Sequence, residues 1–262
     1  MRIIKIVLGL LLLGQQSIAQ NPIQILTEKK GISLRGLSVP SEKVIWASGS
    51  KGTVVKSLNG GVSFEWLQVK GYETRDFRAI HAWNENEVII VAVAAPAVIL
   101  KTMNGGLSWN KVYENVDTSM FLDAIAFRNE NEGAVIGDPI NDTLFLLQTN
   151  DKGTNWERVK GDYWKSKVIK GEAFFASSNS NLAFLDNKIA FVSGGIKSRL
   201  WIGGEAMDIP IIQGLNSTGA NTMAISPNKN HIMIAGGDFN NPNEMNNNFV
   251  KLDRFKYPNT NN

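Results

Sequence analysis

The chain contains no cysteine in 262 residues. That excludes disulfides, redox thiols, thiolate-bound metal and a cysteine-borne lipid anchor, so the fold must be held by its core alone. Histidine is nearly as scarce. His81 and His231 stand far apart, with no ligand-spaced carboxylates beside them, and no metal site is expected. An excess of one charge is also missing: Lys and Arg number 27 against 24 Asp and Glu. Nothing in that balance favours nucleic acid or anionic lipid as a bulk partner. The apolar run Ile6 to Leu13, broken only by Gly9, is too short to span a bilayer. Arg2 and Lys5 precede it and Ser17-Ile18-Ala19 follows, so residues 1–19 read as a secretory signal peptide. The expected mature protein begins at Gln20, is secreted or periplasmic, and keeps no stable membrane anchor.

What the sequence does have is repetition. TMNGGLSW at 102–109 is matched in frame by SLNGGVSF at 57–64 and TNDKGTNW at 149–156, which sets Asn59, Asn104 and Asp151 at spacings of 45 and 47 residues. Ahead of each lies an apolar run: TVVKS at 53–57, AVILKT at 97–102 and TLFLLQT at 143–149. A second run precedes that one, as VIWASG at 44–49, EVIIVAVA at 87–94 and GAVIG at 133–137. It returns as KIAFVSGG at 188–195 and HIMIAGG at 231–237. A third register opens each unit: LRGLSV with Arg35, FRAIHAW with Arg78, LDAIAF with Asp123, EAFFASS with Glu172 and ANTMAIS with Asn221. Short strands in units of roughly 45 residues, with turn chemistry at a fixed place, predict an all-β fold, a β-propeller of four-stranded blades.

The Gly-rich segments then read as turns between the third and fourth strands. The Asn or Asp side chain closes its own turn, and Gly61, Gly106 and Gly153 supply a backbone conformation other residues resist. Phe64, Trp109 and Trp156 are expected to pack between the outer strands of neighbouring blades. A phosphate-binding loop is excluded, because no Gly-Lys-Ser/Thr follows.

The spacing Ser57-x-Asn59-x-Gly61, Thr102-x-Asn104-x-Gly106-x-x-Trp109 and Thr149-x-Asp151-x-Gly153-x-x-Trp156 resembles the Asp box, or bacterial neuraminidase repeat. Together with VIWASGSKGTVVKSLNGG, VIGDP, SGGIKSRL, STGAN and GGDF, it resembles the secreted branch of the photosystem II stability/assembly factor-like propellers. The resemblance runs from about Ile32 to Phe239, with blades expected near 32–76, 77–120, 121–168 and 169–216 and a partial one at 217–239. It implies a closed ring of six or seven blades, against which about five repeats are present and the last is incomplete. The fourth unit lacks a box: RLWIGGEAMDIP leads to IIQGLNSTGAN, where one is expected. Residues 240–262 are Asn-rich and are expected to be irregular; a truncated member is expected, with a fragment or a true five-bladed form as the alternatives.

Arg35, Arg78, Asp123, Glu172 and Asn221 are expected around one mouth of the central channel, where propellers meet their partners. The competing reading is a self-neutralising ring of ion pairs. Arg199, just past an apolar strand, is a further candidate for meeting an anion. Asp138 and Asp238 follow second strands, but Asp before Pro is also an ordinary turn starter. Trp46, Trp66, Trp83 and Trp201 read as packing. The resemblance implies a non-catalytic scaffold binding a protein or peptide over the channel mouth, without a cofactor. The alternative is a sialidase-like glycoside hydrolase, with Arg35, Arg78 and Arg199 as the carboxylate-binding trio. Against it, Tyr72, Tyr113, Tyr163 and Tyr257 fall outside the inner-strand starts where a nucleophile would sit. Relatives are also labelled oxidoreductase, yet no dinucleotide fingerprint, redox cysteine or metal cluster accompanies that label here.

Overall fold

The computed structural model describes residues 23–176 and 179–253; the expected signal peptide, Gln20 and Tyr257 lie outside them. Among the described residues the chain is strand throughout, apart from one 3-10 turn at Gly161–Tyr163. Unit 1 comprises β1 (Leu34–Ser38), β2 (Ile45–Gly49), β3 (Thr53–Ser57) and β4 (Glu65–Gln68). Unit 2 comprises β5 (Phe77–Ala82), β6 (Val88–Ala92), β7 (Ala97–Thr102) and β8 (Asn110–Asn115). Unit 3 comprises β9 (Leu122–Phe127), β10 (Gly133–Ile140), β11 (Thr143–Thr149) and β12 (Glu157–Arg158). Each is an antiparallel meander with strands in chain order.

Unit 4 splits its innermost strand into β13 (Glu172–Ala173) and β14 (Leu182–Leu185), followed by β15 (Lys188–Gly195), β16 (Arg199–Ile202) and β17 (Glu205–Asp208). A fifth, three-stranded unit is β18 (Thr218–Ile225), β19 (His231–Asp238) and β20 (Phe249–Asp253). A single bridge, Gly194 to Gly219, joins these two units into one eight-stranded sheet. The reading of residues 240–262 as irregular is therefore corrected at Phe249–Asp253, while residues 254–262 lie outside the described residues. Phe249-Val250-Lys251-Leu252 pairs with β19, and Val250 and Leu252 pack against the adjoining core. The Asn-rich stretch before it hid a short strand.

Both faces of each inner sheet are covered, which is why β6 and β7 read as continuous apolar runs. Val88, Ile90 and Ala92 turn toward Trp46 and Val54 of unit 1. The alternate residues, Ile89 and Val91, turn toward Val135, Phe145 and Leu147 of unit 3. The same alternation builds a seam between units 3 and 4 around Ile136, Phe191 and Trp201. Another joins units 4 and 5 around Val192, Leu200 and Ile234. Each fully buried Ile, Leu or Phe contributes about 1.5–3 kcal/mol, so the seams hold the molecule together.

The box turns lock those seams from the rim. In the first, Ser57 donates its hydroxyl to Asn59 Oδ1 (2.9 Å), while Gly61 N–H donates to Ser57 Oγ (2.9 Å) and Ser63 N–H to Asn59 Oδ1 (2.9 Å). Thr102, Asn104, Gly106 and Ser108 repeat this circuit, as do Thr149, Asp151, Gly153 and Asn155. The third position is a glycine for two reasons. Its φ is +84° at Gly106 and +73° at Gly153, and at Gly153 a Cβ would stand 2.2 Å from Ile89 Cδ1 of the preceding unit. Trp109 packs into the first seam and Trp156 into the second.

A lysine of the preceding unit reaches across to hold the second and third turns. Lys56 Nζ donates to Gly105 O (2.7 Å), and Lys101 Nζ donates to Lys152 O (2.9 Å) and Thr154 Oγ1 (3.1 Å). Unit 4 has no such turn. Gly203 and Gly204, at φ +58° and +87°, make a two-residue hairpin between β16 and β17.

Asp151 is the one acid among the three central box residues. Backbone hydrogen bonding from Asn155, with side-chain bonds from Asn155 and Thr149, holds its pKa down to about 2 from 3.8. A lowered folded pKa means the turn's contribution is full above the unfolded pKa and fades as pH falls toward 2. Asp151→Asn keeps the acceptor oxygen, as at Asn59 and Asn104, and should flatten the fall in Tm between about pH 4 and 2. Asp151→Ala should cost about 1–2 kcal/mol near neutral pH, and less as pH falls toward 2. Calorimetric melts across that range check both. An unchanged acid slope in Asp151→Asn would contradict the assignment.

Candidate functional site

The innermost strands share one irregularity. In β1 the register skips between Leu34 and Gly36, in β5 between Phe77 and Ala79, in β9 between Leu122 and Ala124, and in β18 between Ala220 and Thr222. The bulged residues are thus Arg35, Arg78, Asp123 and Asn221. A bulge leaves one residue out of the ladder and re-aims its side chain. The small residue that follows has a mechanical cause: a Cβ on Gly36 would stand 2.5 Å from Ser48 Oγ and 2.8 Å from Ile80 Cγ2. Successive inner strands are neighbours from β1 through β5, β9 and β14 to β18. Asn179 ties several of them together. It accepts the Ile125 N–H at its Oδ1 (2.8 Å) and donates from Nδ2 to Ile80 O (3.3 Å), while Ser180 O accepts the Met223 N–H (2.9 Å).

Three of the bulged residues meet at one cavity of about 350 Å³. Arg35, Arg78 and Asn221 line it together with Phe121, Phe175 and Phe239. The Arg78 Nε donates to Asp76 Oδ2 (2.8 Å), and its guanidinium lies 5.9 Å from the Phe121 ring centre. Arg35 Nε donates to Ser33 Oγ (3.0 Å), and the side chain is otherwise exposed. Phe175 and Phe239 meet edge to face, 6.1 Å between ring centres. The wall is aromatic and the charge is cationic.

The other expected mouth residues are placed elsewhere. Asp123 is bulged like its counterparts but fully buried, with the backbone N–H groups of Asp138 and Ala176 facing its carboxylate. Burial raises its pKa well above the carboxylate range; the negative Asp138 adds to the rise, and Arg78 opposes it. Asp138 is itself structural: its Oδ1 accepts the Phe174 N–H (2.8 Å), and burial lifts its pKa to about 6. Asp238 accepts the Asn240 N–H (2.9 Å) within its own turn.

Glu172 and Arg199 require correction as partner-binding residues. They form a buried ion pair inside unit 4. The Glu172 carboxylate accepts from Arg199 Nε (3.0 Å), Trp201 Nε1 (3.0 Å), the Ile169 N–H (2.9 Å) and Ser193 Oγ. Arg199 also donates to Lys167 O (2.9 Å) and stacks 4.4 Å from the Trp201 ring. The physical reason is register: Glu172 pairs with Gly195 and Ala173 with Gly194, so the chain reaches the cavity only from Phe174 to Ala176. The frame Leu34-Arg35-Gly36, Phe77-Arg78-Ala79, Leu122-Asp123-Ala124 continues as Phe174-Phe175-Ala176. A search for a polar residue there passed over it.

The sialidase trio is likewise not assembled, because Arg199 is committed to Glu172, away from Arg35 and Arg78. Trp46 and Trp201 are fully buried, Trp66 donates to Thr27 Oγ1 (3.0 Å) and Trp83 packs on His81 and Phe127. Burial in that aromatic cage lowers the His81 pKa to about 4, which keeps the ring neutral. Among the described residues, no three His, Cys, Asp or Glu side chains converge as a metal site.

Residues 91–164, spanning the end of unit 2 and all of unit 3, match the family model described as photosynthesis system II assembly factor YCF48. A search of curated proteins finds no match. Among solved structures the chain is similar to YCF48 bound to D1 peptide, at 16% identity and TM-score 0.53, with 86% of this chain and 70% of that one covered. It is similar to YCF48 from Cyanidioschyzon merolae at 13% identity and TM-score 0.52, covering 88% and 75%. An ancestral GH74 enzyme is also similar, at 16% identity and TM-score 0.51, but only 32% of that chain is covered. The fold is all-β, with several four-stranded antiparallel sheets, and is similar to these propellers.

Removing either member of the unit 4 pair leaves the other charge buried. Glu172→Ala and Arg199→Ala should each destabilise by about 3–5 kcal/mol in denaturant melts. A loss below about 1 kcal/mol in both variants would contradict a satisfied internal pair and return Arg199 to the surface.

Proposed function

We propose that this chain is a non-catalytic propeller that binds an extended polypeptide at the inner-strand mouth, as an assembly or scaffold protein. The observation that carries the reading is the pairing of Arg35 and Arg78 with Phe121, Phe175 and Phe239 around one cavity. Two guanidiniums at one opening suit a carboxylate, since Arg offers planar, paired donors to it. The aromatic wall takes the apolar part of a neighbouring side chain. An acidic side chain or free C-terminal carboxylate next to an apolar residue is the matching ligand. The similarity to a YCF48 structure with bound D1 peptide supports a peptide as ligand. We also propose export through residues 1–19 and, from the family resemblance, a ring of more blades than the described residues contain.

Fluorescence anisotropy with short labelled peptides tests the site. Peptides ending in a free carboxylate beside an apolar residue should bind, and C-terminal amidation or Arg78→Gln should each weaken binding by about tenfold or more. Arg35→Gln should act in the same direction. Affinity indifferent to both arginines would remove the proposal. Export has a separate check: N-terminal sequencing of protein recovered outside the cytoplasm should begin at Gln20, and an intact Met1 would contradict it.

A further inference from the structure

At the opposite end of the strands from the aromatic cavity, the second and third box turns each seat in a slot between their own unit and the preceding one. The slot offers two fixed hydrogen-bonding groups. One comes from the hairpin joining the unit's first two strands: Asn86 O accepts the Gly105 N–H (3.0 Å), and Asn131 O accepts the Lys152 N–H (2.9 Å). The other comes from the preceding unit, at the residue just before its own box Ser or Thr. Lys56 Nζ donates to Gly105 O (2.7 Å) and Lys101 Nζ to Lys152 O (2.9 Å).

The corresponding slot between units 3 and 4 has no turn of its own. Gly203 N–H bonds Ile189 O (3.0 Å), which puts Gly203 opposite Ile189 as Ser57 is opposite Ile45. The chain then turns back at Gly204, so no box can follow. What remains is a groove of about 490 Å³ lined by Gln148 and Val159 of unit 3 and by Phe184, Asn187 and Ile189 of unit 4. The two slot positions are both present. Gln148 opposes Ala134 as Lys101 opposes Ile89, and it is exposed. Asn187 stands two residues before Ile189, as Asn86 stands two before Val88.

We propose that this groove is a second docking site, which takes a Gly-containing box-type turn supplied by a partner polypeptide. The molecule itself shows which chemistry fits: in two equivalent slots the occupant is a tight turn that gives one N–H to the hairpin carbonyl and one carbonyl to the cross-unit donor. Arg158, Lys160, Glu157 and Tyr163 also line the groove, so the fit rests on the occupant's backbone groups and not on its charge. The cross-unit donor is here an uncharged carboxamide, and Arg128 at the edge is already paired with Glu132. The site shares no residue with the aromatic cavity, so the two readings fail independently.

The probe is a cyclic peptide of this chain's own third box, TNDKGTNW, titrated into the isotope-labelled full chain and followed by NMR. The Gln148 side-chain amide and the Asn187 and Ile189 backbone resonances should shift with saturation. Gln148→Lys should tighten binding by about fivefold, because it restores a charge-assisted donor, and Gln148→Glu should weaken it. Both changes are on an exposed side chain, so the fold is not at stake. No movement of these resonances at about 1 mM peptide would overturn the proposal. So would affinities that ignore the charge at position 148, or a neutral oligosaccharide shifting the same resonances when the peptide does not.

Discussion

A sheet with two apolar faces has no solution to its burial except a neighbour on each side. That constraint organises this protein. Ile89 and Ile90 lie next to each other in β6, yet they enter different cores, one facing unit 3 and the other unit 1. Strands of this kind are unstable alone and stable in a stack, so length, turn placement and lysine positions all follow from the need to repeat. The box turn and its cross-unit lysine fix the distance between neighbours at the rim. The bulge after the first residues of the inner strand fixes the geometry at the centre.

From that frame the two ends of the strands acquire different chemistry. At the centre the bulges, and in unit 4 the break after β13, release one side chain per unit from the ladder: Arg35, Arg78, Phe175 and Asn221 stay at the cavity, while Asp123 is buried. At the rim the same hairpins and donors recur, and the shortened turn at Gly203-Gly204 changes a filled slot into an open groove. One scaffold thus has an aromatic cavity with two arginines at one end of its strands and an open groove at the other.

The legibility of these features in the sequence follows their range. The box circuits involve residues two and four apart, so Thr102-x-Asn104-x-Gly106 declares its turn without tertiary information. The unit period was readable because every seam needs the same alternation. Arg35, Arg78 and Asn221 stood out as polar residues followed by small ones inside an apolar register. Phe175 did not, since an aromatic residue there looks like core. The Glu172 pair was out of reach for a different reason: its partners Ser193, Arg199 and Trp201 lie 21, 27 and 29 residues away, and only the fold brings them together. β20 was masked by asparagines that precede it, although Val250 and Leu252 keep the alternation.

The most direct test follows the arginine side chains themselves. With the guanidinium Nε–H groups isotope-labelled, addition of a peptide carrying a free carboxylate beside an apolar residue should shift the Arg35 and Arg78 signals together. The buried Arg199 signal should stay fixed. A peptide that binds while Arg35 and Arg78 remain unmoved would place recognition away from the inner-strand bulges and contradict the account.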